Sequence, residues 1–374
     1  MTTFAHISPI PHLQELVSGR SFHLTLAHLV ETSPEYTQFY VDQKAKNPSM
    51  INILDNSAFE KFKAGEPMYP SENLLEMGKR IQADYIVMSD YPGEHSSRTI
   101  EAAKELAPKF HSEGFGTFFV PQSNIGDIAD LIHSYQWAAD NPQLINYIGV
   151  SILGVPNAYG VERDNKLQRF MSRWKLMGEL KVLGILDKIK KNGQKIHFLG
   201  MVDGPNEIEL VREFLPYIDT WDSSAGVWTG LNDIRFDSSP TGLIGGKFEK
   251  EVDFDFFTPD KALVALAKEN MKHIDDLLKS RAANGVPYAR NEGRIIDDFR
   301  HYVDSTYNAH YAGSNGVQVT DIWEAQGIAK HAYMSNISKY AFRFGRKEGE
   351  NIKDVFKIMH YCVLLLNEIQ KGKK

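Results

Sequence analysis

The chain has one cysteine, Cys362, in 374 residues. An intramolecular disulfide and a multi-cysteine zinc site are therefore excluded. No run approaches the ~20 apolar residues of a membrane span, so no membrane partner is expected. The opening Met1-Thr-Thr-Phe-Ala-His-Ile lacks the basic-then-apolar order of a signal peptide, and a cytoplasmic location is the default expectation. There is no Gly-x-x-x-x-Gly-Lys loop, and no Gly-x-Gly-x-x-Gly follows a strand. No Ser-His-Asp order can be assembled around the serines that follow Asp222. His23, His28, His95, His111, His133 and His197 are scattered rather than set at ligand spacing, so no metal and no cofactor are expected. His197, within a strand, reads as a satisfied core histidine.

What is present is an ordinary globular composition, 42% hydrophobic and 24% charged. Strand-like and helix-like stretches alternate along most of it. Phe22–Val30, Ile51–Asp55, Tyr85–Asp90, Thr117–Gln122, Tyr147–Ile152, Lys195–Gly200 and Asp219–Asp222 read as strands. Between them, Ser71–Ala83, Ser97–Ser112, Asn124–Trp137, Asn165–Lys191 and Asn206–Leu215 carry apolar residues at helical spacing. This alternation predicts a parallel sheet, and seven repeats favour a (β/α)8 TIM-type barrel over an open sheet, with the eighth strand unplaced.

The pattern fails from Gly230 to Phe257, where Gly242, Gly245 and Gly246 mark a loop and Asp253–Phe257 reads as a strand or an edge. A helix is expected over Pro259–Arg281, and Ala282–Pro287 reads as a boundary. The expected domains are a barrel over 1–285 and a small all-helical module over 300–374, with helices at Val319–Gln326, Ala332–Phe344 and after the cap Asn351.

Strand ends of a parallel barrel form one rim, where ligands bind. Asp55, Asp90, Gln122, Ser151 and Asp222 all stand at such ends. Several carboxylates on one rim suit chemistry at a sugar C1 carbon, with one acid attacking and another handling protons. Taken singly, Asp55 and Asp90 are equally well explained as turn or capping residues. The net charge of −6 does not announce a nucleic-acid binder. Between Arg163 and Lys195, however, basic residues dominate, including Lys166, Arg169 and Arg173. Such a run either tracks phosphates or forms a solvated helix face.

At these residues the sequence resembles the tRNA-guanine transglycosylase superfamily, and more closely its phage branch acting on DNA. Leu54-Asp55-Asn-Ser-Ala-Phe59 is similar to the family's Asp-Ser-Gly-Gly-Phe motif. Val87-Met-Ser-Asp90 with Tyr91-Pro92 resembles its base-recognising segment, and Val120-Pro-Gln122 its Val-Gln-Gly motif. His197-Phe-Leu-Gly200 and Asp219-Thr-Trp-Asp222 resemble its Leu-Met-Gly and Asp-x-x-Asp pair. The resemblance spans roughly residues 20 to 260. It implies a barrel enzyme exchanging guanine in double-stranded DNA, from a flipped guanosine, for a 7-deazaguanine base such as 7-cyano-7-deazaguanine. Carried over, Asp222 is the nucleophile and Asp55 the acid/base or base-positioning group. Asp90, Gln122, Gly149, Ser151 and Gly200 would bind the base. Separately from the resemblance, the basic run would, if it tracks phosphates, contact the nucleic acid through Arg163, Lys166, Arg169 and Arg173.

Two departures stand out. The family's Cys-Cys-Cys-His zinc site has no counterpart, and the glycines of the first motif are lost, with Asn56 and Ala58 in that segment. Both suit the DNA branch better than the tRNA branch, which is kept as the alternative beside an inactive barrel that binds bases or nucleic acid. The tail, from Asn336 through Lys339, Arg343 and Lys347 to Tyr361, resembles a small helical phage domain that includes a phage nucleotide kinase. Without a phosphate loop, no kinase activity is inferred. Lys339, Arg343 and Lys347, at i, i+4 and i+8, would bind phosphate or DNA, or form a plain surface stripe. The oligomeric state is left open.

Overall fold

A computed structural model describes residues 2–162, 165–201, 204–236, 256–257, 264–279, 318–347 and 349–371, with scattered positions between 292 and 304. The chain falls into two compact units, Met1–Ala282 and Ala283–Lys374.

The first unit is a TIM-type barrel. Its strands are β1 (Thr3–His6), β2 (Phe22–Leu26), β3 (Ile51–Asp55), β4 (Tyr85–Val87), β5 (Gly116–Phe119), β6 (Tyr147–Val150), β7 (Lys195–Phe198) and β8 (Thr220–Ser223). They run in the order β1-β8-β7-β6-β5-β4-β3-β2. Every pairing is parallel. Between the strands, helices α1 (Pro34–Lys46), α2 (Ser71–Ile81), α3 (Ser96–Ser112), α4 (Ile128–Asp140), α5 (Lys166–Val182) and α6 (Ile185–Lys191) return the chain. The eighth strand is β1. It pairs with β8 through Ala5 opposite Asp222, and so extends the rim beside the last strand-end carboxylate.

Three expected boundaries move for identifiable reasons. The strand from Phe22 stops at Leu26, and Ala27–Thr32 is a helix whose Ala27, Leu29 and Val30 are buried. Helical spacing takes over there from strand alternation. The long helix over Asn165–Lys191 is two helices, because Gly184 takes a left-handed conformation at φ +73° and turns the chain. The segment Asn206–Leu215 opens as a short α-helix over Pro205–Leu210 and tightens into 3-10 geometry from Arg212 to Tyr217, around Pro216.

Register explains the interior. In β5, β6, β7 and β8 it aligns Phe118 with Tyr147, Gly149 with His197, and His197 with Thr220. The Phe118 ring stacks on Tyr147 at 5.6 Å between centroids and meets His197 edge-on at 5.2 Å. This aromatic layer fills the barrel below the rim. Outside, the apolar faces of α2 and α3 are buried through Leu74, Leu75 and Ile81 and through Ile100, Ala103 and Phe110. Each of these Leu, Ile and Phe side chains contributes about 1.5–3 kcal/mol when fully buried.

After β8, helices α7 (Ala225–Leu231) and α8 (Val264–Lys279) pack together. A Cβ at Gly230 would lie 2.3 Å from the Cα of Ala267. Backbone cannot swing aside as a side chain can. Gly230→Ala is therefore expected to cost about 1–3 kcal/mol. At roughly 2–4 °C per kcal/mol, circular dichroism should show the barrel melting several degrees lower. The glycine loop at Gly242–Gly246, most of Asp253–Phe257, the ends of the Pro259–Arg281 helix and the Ala282–Pro287 boundary lie outside the described residues.

The second unit holds α9 (Val319–Ala325), α10 (Ala329–Arg343) and α11 (Ile352–Lys371). Asn351 precedes α11, and its side-chain oxygen accepts from the Lys353 N–H at 2.9 Å. Among the described residues, no helix is long and apolar enough to cross a membrane.

Candidate active site

The C-terminal ends of the strands surround a cavity of about 640 Å³, lined among others by Asp55, Asn56, Asp90, Gln122, Ser151, Gly200 and Asp222. That volume lies within the range of ordinary small-ligand sites, about 300–1,000 Å³. Four strand ends, spread along the chain from Asp55 to Asp222, thus deliver carboxylates and amides to one opening.

Asp222 is buried at the end of β8, with only 4% of its surface exposed. Its Oδ1 receives two donors: the His197 Nε2 at 2.9 Å and the backbone N–H of Gly200 at 3.2 Å. Gly200 adopts φ +67°, which turns its amide toward the carboxylate. His197 is wholly buried, and its other ring nitrogen meets the Thr220 hydroxyl at 2.7 Å. His197 is indeed a satisfied core histidine, but its partner is the strand-end carboxylate. Sequence spacing does not reveal this, because the contact depends on the register that sets β7 beside β8.

Asp55 meets a different environment. One carboxylate oxygen accepts the Ser57 N–H at 2.8 Å, the turn-capping role that its position suggests. Burial pushes its carboxyl well above the usual range, and the charges of Glu60, Asp222 and Asp90 add to this. Both effects favour its protonated form over that of an exposed carboxyl. Ser57 itself has φ +56°, a conformation that costs a non-glycine residue about 1–3 kcal/mol. Its Oγ is held by the His28 backbone N–H at 3.2 Å and by the His28 imidazole at 2.9 Å. Burial lowers His28 to about 4.

Asp90 is bracketed by amides. Asn56 donates to its Oδ1 at 2.7 Å, and Gln122 donates to its Oδ2 at 2.6 Å. Burial still raises the group to about 6, with the Asn56 and Gln122 bonds opposing the shift. The Gln122 Oε1 is buried and, among the described residues, accepts no hydrogen bond. Asn56 also donates to the Met88 carbonyl at 2.9 Å. It thereby locks the β3 end to the β4 end, a role invisible from its place beside Asp55.

The remaining residues expected at the rim divide. Ser151 lines the cavity, and its Oγ accepts from the N–H groups of Leu153 and Gly154. The amide of Gly200 is committed to Asp222 rather than offered to a ligand. Gly149 is not among the residues lining the cavity. It lies in the layer beneath, where a Cβ would come within 2.8 Å of Phe118, and Tyr135 donates to its carbonyl. The expectation that Gly149 touches a base is corrected accordingly.

Arg173 is also corrected. It is fully buried, forms an ion pair with Glu207 at 2.6 Å, and donates to the carbonyls of Val150, Leu199 and Gly200. A guanidinium spent on one carboxylate and three carbonyls cannot reach a phosphate. It clamps the ends of β6 and β7 together beneath the site. Arg169 is partly exposed on α5, Arg163 lies outside the described residues, and Lys166 is placed as the first residue of α5.

A family model described as "Protein of unknown function (DUF3310)" matches residues 305–363. No curated protein matches the chain. The matched segment lies in the second unit and says nothing of the barrel.

Within the DUF3310 segment, the stripe expected from Lys339, Arg343 and Lys347 ends early. Helix α10 stops at Arg343, so Lys347 sits in the turn beyond it. Arg343 pairs with the buried Asp354 at 3.1 Å. The Tyr340 ring has the ammonium groups of Lys339 and Lys357 at 5.0 and 4.9 Å from its centroid.

Proposed function

We propose that the barrel is a base-exchange transglycosylase, replacing guanine in DNA with a 7-deazaguanine derivative through a covalent Asp222–C1′ intermediate. One observation carries this reading. Two carboxyl groups face one cavity in different settings: Asp222 is held through one oxygen by the His197 ring and the Gly200 N–H, while burial pushes the Asp55 carboxyl well above the usual carboxylate range. That division suits a nucleophile paired with a proton carrier.

In the first half-reaction, an Asp222 oxygen bonds to C1′ and the glycosidic bond breaks. The electron pair passes to the leaving base, which takes the proton from Asp55. In the second half, the incoming base returns a proton to Asp55 and displaces Asp222. Asp90 and the unfilled Gln122 Oε1 supply acceptors for the N–H edge of the base. The nucleotide must leave the duplex stack to reach the cavity, as base-modifying chemistry generally requires.

The test is to incubate the chain with duplex DNA and 7-cyano-7-deazaguanine, digest the DNA, and read nucleosides by mass spectrometry. A modified deoxynucleoside is expected. Absence of product with DNA, with tRNA and with other 7-deazaguanines would remove the proposal.

The same reading gives a pH dependence. Asp90 titrates near pH 6, so its ionised acceptor is present above that pH and lost below it. The dissociation constant of the base, measured by calorimetry, should rise toward tenfold per pH unit below about 6. In Asp90→Asn the affinity should be weak and this slope absent. An unchanged slope in the variant would assign the titration elsewhere.

A further inference from the structure

The two donors to Asp222 converge on the same oxygen. His197 Nε2 and the Gly200 N–H both reach Oδ1, at 2.9 and 3.2 Å. Among the described residues, no donor reaches Oδ2, and Asp222 lines the cavity. An ionised carboxylate only accepts, so Nε2 carries a proton and donates. In the neutral imidazole, Nδ1 then accepts, and the Thr220 hydroxyl, 2.7 Å away, donates to it. Two rings pack against the imidazole and resist its rotation: Phe118 lies 5.2 Å and Phe22 6.2 Å from it, centroid to centroid. Thr220 and Asp222 sit two residues apart on β8, on the same face as His197 of β7. One strand thus presents both the nucleophile and the group that fixes the tautomer of its partner.

We propose that His197, oriented by Thr220, is a positioning residue for the nucleophile: it holds Asp222 by Oδ1 and leaves Oδ2 as the oxygen that attacks C1′. This rests on the transglycosylase reading. Holding the carboxylate plane fixed places Oδ2 at the near-attack distance before the base leaves. The Oδ1 bonds persist in the ester, where Oδ1 becomes the carbonyl oxygen and still accepts from Nε2–H and Gly200. No proton changes hands at His197. The proton to the leaving base comes from Asp55, so the charge lost at Asp222 on ester formation appears on Asp55.

The decisive variants are His197→Leu, His197→Gln and Thr220→Val in the full chain. Base exchange and the rate of covalent protein–DNA adduct formation in a single turnover are read for each. Leucine fills the space without a donor, and kcat should fall about 100-fold while KM for the base stays within about twofold. Glutamine can present an amide N–H to Oδ1 and should recover most of the lost rate. Thr220→Val leaves imidazole but not its orienting hydroxyl, and should slow adduct formation by about tenfold, again with KM unchanged.

Wild-type rates in His197→Leu, or losses expressed in KM alone, would overturn the proposal while leaving the transglycosylase reading intact. Failure of the wild type to exchange any base or form any adduct would remove that reading, and this one with it. If His197→Leu does not fold, as judged by circular dichroism, the glutamine and valine variants decide. Equal impairment in glutamine and leucine at matched folding would also overturn it.

Discussion

Asp222→Asn is expected to abolish base exchange, lowering it by at least about 10⁴-fold, and to yield no covalent DNA adduct. The magnitude follows from the role. Removing the atom that forms the covalent intermediate eliminates the route rather than slowing one step, and comparable single deletions cost about 10⁴–10⁶. Asparagine keeps the shape, so the fold should survive. It also keeps an Oδ1 that can accept from His197 Nε2 and Gly200, as aspartate does at 2.9 and 3.2 Å. What it loses is the charge and the nucleophilic Oδ2. The control is free-base binding, because Asp90 and Gln122 are untouched and their mutual bond at 2.6 Å should persist. A variant that binds base normally and forms no adduct assigns Asp222 to chemistry. A variant that still exchanges bases would move the nucleophile elsewhere, and Asp55 would be the next residue to replace.

The barrel was legible because its strand–helix alternation repeats, and repetition averages out errors at single boundaries. What escaped notice were features too short or too distant to show in one window. Strand β1 is four residues, Thr3–His6, and only one of them is exposed to solvent, so no alternation could mark it. The carboxylates Asp55, Asp90 and Asp222 were visible as strand-end residues, since a polar residue after an apolar run is a local signal. His197 was visible only as a strand histidine. Its contact with Asp222 spans 25 positions and needs the register of two strands. One clue was available: His197 and Asp222 each lie near the end of a neighbouring strand in a parallel sheet, where rim residues meet. Gly149 misled for the opposite reason. It stands within one turn of chain of Ser151, but alternate residues along a strand sit at different depths in a barrel, so one lines the cavity and the other lies beneath it.

Arg173 misled most, and its replacement should have the largest effect on stability. Seen in sequence, it is one cation in a basic run. In the fold it is wholly buried against Glu207, with three carbonyls taking its remaining donors. Its guanidinium also lies over the Phe198 ring, 4.8 Å from the centroid. Arg173→Ala would leave the Glu207 carboxylate buried without its cation and take one donor from each of three carbonyls, of which Val150 keeps the Leu199 N–H and Gly200 the Trp221 Nε1–H. Breaking a buried pair from one side costs about 3–5 kcal/mol, against at most about 1 kcal/mol for an exposed ion pair. At roughly 2–4 °C per kcal/mol, the barrel should melt about 6–20 °C lower.

Function should suffer as well, because two of the three carbonyls, Leu199 and Gly200, belong to the segment whose amide holds Asp222. Arg173→Met with Glu207→Leu removes both charges together and should recover part of the stability, since an apolar pair of similar volume is often neutral or better. DNA affinity separates this account from the basic-run reading. A phosphate-contacting arginine would, when removed, lower the salt dependence of binding by nearly one counterion. For the double variant, tested below its melting point, the slope should be unchanged. A reduced slope in a well-folded double variant would place Arg173 at the nucleic acid after all.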